Sequence, residues 1–394
     1  MTLPPAAIAL TAAGQGGWNQ QSDYKAVRYN GKTYFGWVAS NGDVKIASYT
    51  HATGVVSAAT TLHATLAVDV HVSPSIVVRD SDQRLMVAYT QHDTSTFCTR
   101  ISTNAEDETA WGGEVAMDGA LGGNTYTYPS IFQQLGQAGD PIQIMYRDVQ
   151  DAGLSGALCY TYTTDHDASP TWQAQATLYK NANKQSYWKV ACDGNIRIDV
   201  VTTDGHPVTD APTKLCHMYS DATDWHESDG TVLGALPYGP SDLTEIDDGA
   251  GGSCWPMNVV ANGGNPVVVY WRGTYGGGSM DIVYARWSGA AWVKTVIATN
   301  GGPGGYAPGG AVIDESDPDT VYASVWNGAR YSLRRYVTAD SGATWTWAAS
   351  IDGGQSDDSI WPAVVRNSAA GLRVVWLHGT ITADDTYTLA VSGA

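Results

Sequence analysis

The chain has 394 residues, 39 acidic and 21 basic, and a formal net charge of −18. That charge argues against nucleic acid and anionic membranes as partners, and no apolar run approaches the roughly 18 residues a membrane span needs. With Gly 44, Pro 16, Trp 15, Tyr 22 and only 15% charged residues, the composition describes an all-β chain of short strands and many turns.

The cysteines Cys98, Cys159, Cys192, Cys216 and Cys254 are odd in number and hold no CxxC pair. Buried free thiols are expected rather than a disulfide framework. The N-terminus lacks a basic start and is interrupted by Pro4-Pro5, so it does not read as a signal peptide. An unprocessed product starting at Met1 is expected.

One hairpin unit recurs along the chain, and a period of this kind signals a repeat architecture. Each unit has an apolar strand, a turn and a second apolar strand that runs out into a polar residue. The first is Tyr24–Tyr29, turn Asn30-Gly31, and Thr33–Val38. The second is Pro74–Val78, turn Arg79–Gln83, and Arg84–Thr90, with His71 before it and His92 after it. The third is Tyr128–Phe132 with Ile142–Tyr146, and the fourth Tyr187–Ala191 with Ile196–Thr202. The fifth is Trp255–Val259 with Pro266–Trp271, and the sixth Ala307–Ile313 with Thr320–Trp326. The seventh is Trp361–Val365 with Leu372–Leu377.

The units start near residues 24, 72, 127, 186, 254, 306 and 360, a step of about 48 to 68 residues that suits a four-stranded antiparallel blade. The spacing predicts one seven-bladed β-propeller domain over residues 1–394. The piece Ala6–Leu10 is expected to pair with Thr386–Val391, close the ring and remove an exposed edge. Thr338–Trp345 fits the Asp-box pattern S/T-x-D-x-G-x-T-W, with Thr163–Trp172 as a degraded copy. This is a turn device and carries no chemistry.

In an antiparallel hairpin the start of one strand lies beside the end of the next. His71 and His92 therefore share a rim. Placing the units in register adds Arg147, His206, Arg272, Asn327 and His378 at the second-strand ends. Tyr128, Tyr187, Trp255, Ala307 and Trp361 stand at the first-strand starts. Indole and phenol faces suit sugar C–H faces, and Arg147 and Arg272 offer planar forks for a carboxylate or sulfate inside an otherwise acidic shell. Near a bound uronate such a set can run β-elimination: one group removes the C5 proton, a cation neutralises the carboxylate and an acid protonates the leaving oxygen. Lys189, Trp255, Arg272, Asn327, Trp361 and His378 are the candidate substrate-binding residues.

The stretches VDVHVSPSIVV…YTQHD, YTYPSIF…IMYRD, SYWKVACDGNIRIDVVTTDGHP and LCHMYS resemble the BNR-repeat propellers that include the propeller-type ulvan lyases. The similarity is strongest over about residues 24–220. The resemblance implies a seven-bladed propeller and elimination on a uronate-containing extracellular or cell-surface polysaccharide. It matches His71 and His92 to the two active-site histidines and Tyr128 to the proton-transferring tyrosine. Arg147 takes the place of the carboxylate-side arginine, and Tyr187 that of a further site tyrosine. His206 and His217 fall where some members carry a structural metal ion; the chemistry requires no cofactor. Two other readings fit the same residues. One is a non-enzymatic glycan- or receptor-binding propeller of a bacteriophage tail, extracellular or on the virion, alone as a homo-oligomer or among tail proteins. The other is a structural propeller with an inert channel.

Overall fold

The computed structural model describes residues 8–13, 17–19, 21–117, 121, 124–149, 156–182, 184–274, 279–301, 309–354, 356–368, 371–383 and 386–393. The expected first-strand start Ala307 lies outside the described residues. Regular structure among those described is nearly all β, and none of their helices is long and apolar enough to cross a membrane.

The strands of the described residues form six sheets. Four-stranded antiparallel sheets follow one another along the chain, and each is a meander of sequential strands. One runs Ser75–Val78, Arg84–Thr90, Phe97–Ala105, Val115–Ala116. The next runs Tyr126–Gln133, Ile142–Asp148, Ala157–Thr163, Ala176–Tyr179. Trp188–Cys192, Ile198–Thr203 and Leu215–Ser220 then pair, with Trp225–His226 and Thr244–Asp247 both on the last of them. Two more sheets begin at Ser253–Val260 and Ala311–Asp314. The remaining sheet has nine strands. Within it Ala26–Tyr29 lies parallel to Asp358–Arg366, joining the first hairpin to the last, and Ile8–Ala13 pairs antiparallel with Thr386–Gly393.

Local chemistry explains the hairpins. Asn30 and Gly31 both take positive φ, 41° and 80°, as a two-residue primed turn requires. In the Asp-box, Asp340 accepts the Thr344 N–H at 2.8 Å, Gly342 has φ 92°, and Trp345 Nε1 donates to the Gly342 carbonyl at 3.2 Å. A Cβ on Gly342 would stand 2.6 Å from the Tyr284 ring, so only glycine lets the turn seat there. Asp165 does the same work at Thr163–Trp172, accepting the Thr171 N–H at 3.0 Å. A further turn that the sequence pattern does not reveal uses Asp107 under Thr109, at 2.8 Å, with Trp111 Nε1 on the Glu108 carbonyl.

Inner strands are buried on both faces because neighbouring sheets pack on each side of them. Val267–Trp271 is an unbroken apolar run with every side chain buried. One core cluster joins Trp255, Met257 and Trp271 to Ile313 and Val321 of the following sheet. Another joins Phe132 and Met145 to Trp188 and Val200 across the interface between two earlier sheets. Burying each such side chain contributes on the order of 1.5–3 kcal/mol, and this packing sets where the strand ends meet. All five cysteines are buried thiols outside any disulfide.

Candidate functional site

Two histidines face each other at one rim. His71 stands in a short 3-10 turn, Val70–Val72, ahead of its strand, and His92 follows the strand Arg84–Thr90. Their rings stack with centroids 4.0 Å apart and planes 13° from parallel. Asp69 holds both. One carboxylate oxygen takes the Nδ1 of His71, the other that of His92 at 2.9 Å, and the Asp69 side chain also caps the His71 backbone N–H. Burial works to raise the Asp69 pKa, but the hydrogen bonds from His71 and His92 outweigh it and hold the carboxyl well below the usual range. An ionised carboxylate only accepts, so each Nδ1 carries the proton; His71 Nε2 keeps its lone pair, while His92 Nε2 stands 3.4 Å from Asp93. Burial, aided by His92 and Arg147 and opposed by Asp69, lowers the His71 pKa, so the ring is a neutral base at pH 7.

Tyr128 lies beside the pair, its ring centroid 5.5 Å from His71 and 6.4 Å from His92. It takes φ 58° at an irregularity between Thr127 and Ser130. A bulky residue in that region is strained, and such strain clusters where geometry serves function. Burial foremost, with Tyr187 adding to it, raises its pKa well above 10.0. It is therefore a neutral phenol that still owns its proton.

Arg147 underlies this wall. Its guanidinium carbon is 4.6 Å from the Tyr128 centroid and 5.5 Å from that of Tyr187, and Nη2 meets Asp93 at 3.2 Å. The residue is 2% exposed, and Nε and Nη1 have no hydrogen-bonding partner. Burial disfavours its charge, but Tyr128, Tyr187 and Asp93 more than offset that. The arc of rings continues from Tyr128 to Tyr187 at 6.0 Å, then to His206 and Trp255, each 5.1 Å from Tyr187. His71, His92, Tyr128, Arg147, Tyr187, His206 and Trp255 thus form one continuous cluster.

Other candidates stand elsewhere. Arg272 is not a free fork: Asp247 at 3.2 Å and Asp281 at 3.4 Å hold it, the first from the preceding sheet. Lys189 is buried against Asp23 at 3.1 Å. Trp361 is packed in the core with Trp18 and Trp37, and its carbonyl accepts from Trp18 Nε1. Asn327 uses its side-chain oxygen to cap the Ala329 and Arg330 N–H groups of a turn. His378 faces Asp357 at 3.7 Å. Each of these satisfies a local or inter-sheet need that strand spacing alone does not show.

Among the described residues, neither His206 nor His217 falls in a group of three metal-ligating side chains. His217 is fully buried, with Asp199 at 3.1 Å on one ring nitrogen and Ser228 at 2.8 Å on the other. His206 sits in the ring arc and accepts the Val208 N–H. Asp69, His71 and His92 are the group of three whose ligand atoms lie close together among the described residues. An imidazole binds a metal in its own plane at about 2.0–2.1 Å. Two nearly parallel rings 4.0 Å apart share no such point, so this arrangement does not suit a metal either. Asp69 and Asp93 contact the cluster and are residues that the rim alignment misses. The Asp69-x-His71 spacing and the His92-Asp93 pair were the available signals.

Fold and site together define a β-propeller with a titratable cluster at one rim. A sequence model of the BNR repeat-containing family matches residues 32–300, and the chain belongs to that family. A search of curated proteins found no match. Among solved structures, an ulvan lyase of polysaccharide lyase family PL25, bound to -[GlcA(1-4)Rha3S]-, superposes with TM-score 0.76 at 14% identity, covering 99% of this chain and 95% of that one. Polysaccharide lyase Uly1 superposes with TM-score 0.59 at 12% identity, covering 99% and 91%.

Proposed function

We propose that the chain is a single seven-bladed propeller that cleaves a uronate-containing polysaccharide by β-elimination at the His71–His92–Tyr128 rim. The blade count follows if the nine-stranded sheet is two blades joined through Ala26–Tyr29 and Asp358–Arg366, with Ile8–Ala13 closing the ring. The observation that carries the reaction is Asp69 fixing the tautomer of His71, a neutral base, beside a neutral, buried phenol.

His71 Nε2 takes the proton from C5, and Asp69 stabilises the imidazolium that results. The C–H electron pair forms the C4–C5 double bond, and the bond from C4 to the leaving oxygen breaks. Tyr128 gives that oxygen its proton, so the products are an unsaturated uronate and a free hydroxyl end. Arg147 supplies positive charge from beneath Tyr128 and Tyr187 as charge builds on the uronate carboxylate. Tyr187 and Trp255 provide ring faces for the sugar. A polymeric substrate of this kind places the reaction outside the cell.

The test is release of the unsaturated uronate chromophore from a panel of acidic polysaccharides. Wild type is expected to produce it from at least one, and Tyr128→Phe to lose most of the rate. Binding without chromophore on every member would replace the lyase reading with that of a glycan-binding propeller.

A further inference from the structure

A second concave site lies on the face away from the histidines. The strand Tyr126–Gln133 begins beside Tyr128 and ends at the turn that carries Gln134 and Gln137. At about 3.3 Å per residue, the strand puts that turn roughly 20 Å from the rim. There, between the sheet of Tyr126–Gln133 and that of Trp188–Cys192, is a cavity of about 590 Å³.

Its walls are of two kinds. Tyr160, Tyr162 and Trp225 present rings, and Tyr162 is 39% exposed, a large aromatic left open to solvent. Gln134, Gln137 and Gln143 present amides. The amides are already braced across the interface. Gln134 Nε2 donates to the Ile196 carbonyl at 2.7 Å, and Gln137 Nε2 to the Ala222 carbonyl at 3.4 Å, both in the neighbouring sheet's hairpins. Gln143 Nε2 in turn donates to Gln134 Oε1. Gln137 Oε1 is buried and has no donor. A buried acceptor without a partner is uncommon, and a ligand hydroxyl meets it once the Gln137 side chain turns toward the groove.

We propose that this groove is a second saccharide-binding site, and that it takes an uncharged sugar unit. Ring faces beside preformed amides match a ligand with C–H faces and hydroxyl edges, and the volume falls within the range of ordinary ligand sites. Among the described residues no lysine or arginine lines the groove, and Asp224 is the charged residue in its lining. With a net charge of −18 on the chain, an anionic sugar is repelled there. The proposal stands without the elimination reading. If both hold, a polymer with acidic and neutral units is cut at one face while the other face keeps it at high local concentration.

An array of neutral hexose, deoxyhexose and pentose oligosaccharides, probed with the full chain, tests this. At least one is expected to bind. Tyr162→Ala and Gln137→Leu should each weaken that binding about tenfold or more, with an unchanged melting curve for the exposed Tyr162→Ala and unchanged chromophore release from short acidic substrates for both. His71→Ala should bind the neutral oligosaccharide as wild type does. No binding across the array, or binding that survives both groove substitutions, overturns the proposal. Binding that His71→Ala abolishes assigns the sugar to the histidine rim instead. Failure of elimination with binding intact sinks only the catalytic reading.

Discussion

His71 and His92 lie face to face with ring centroids 4.0 Å apart, each with its Nδ1 against a different oxygen of Asp69. One carboxylate thereby sets the tautomer of two bases. A charge on His92 at that separation disfavours one on His71 and so helps to keep His71 neutral.

Asp69→Asn removes the charge that fixes both tautomers while keeping the shape. Its amide can accept from one histidine but must donate toward the other. Turnover is expected to fall at least about 10²-fold, with little change in KM. Steady-state kinetics of chromophore release check this, and an unaltered kcat would remove Asp69 from the mechanism.

Tyr128→Phe keeps the ring over Arg147 and deletes only the hydroxyl. The rate is expected to drop about 10²- to 10⁴-fold, with the melting temperature nearly unchanged. A rate within a few-fold of wild type would mean that another group protonates the leaving oxygen.

The pH profile follows from His71. Burial lowers its pKa from 6.5, and the base must be neutral to act. The acid limb of kcat/KM should therefore lie below pH 6.5, with activity rising as pH rises through it. The alkaline limb should be far off, because Tyr128 titrates well above 10.0. An acid limb above pH 7 would contradict the assignment.

Stability has a related dependence. His71, His206 and His217 all have folded pKa values below the unfolded 6.5, burial being the first cause in each. The unfolded chain binds more protons below pH 6.5, so this stability is complete above 6.5 and is lost as pH falls through the folded values. Melting temperature should decline between about pH 6.5 and 5, and His217→Gln should flatten the decline. A curve flat over that range would show that these rings protonate without unfolding pressure.

Arg272→Ala should act on stability and leave catalysis alone. It strips Asp247, 1% exposed, of one partner, while Tyr270 and Lys294 remain close. A loss of about 1–3 kcal/mol in urea unfolding is expected, with KM unchanged. A raised KM would return Arg272 to the substrate site.

Features with local causes could be read along the chain. Asn30-Gly31 demands a primed turn wherever it sits, and Asp340 caps its own turn whatever surrounds it. Alternation and turn chemistry likewise placed the hairpin that brings His71 beside His92, since both ends of one hairpin share a rim. Contacts between sheets were decided only by tertiary packing. Equivalent positions in the repeat received unequal neighbours: Arg147 came to rest under Tyr128 and Tyr187, whereas Arg272 was captured by Asp247 of another sheet. Trp255 entered the ring arc, and Trp361 went into the core beside Trp18. A strand pattern records which way a side chain leaves its own sheet. What it meets depends on how far the next sheet is rotated around the ring, a long-range packing outcome that no local spacing contains.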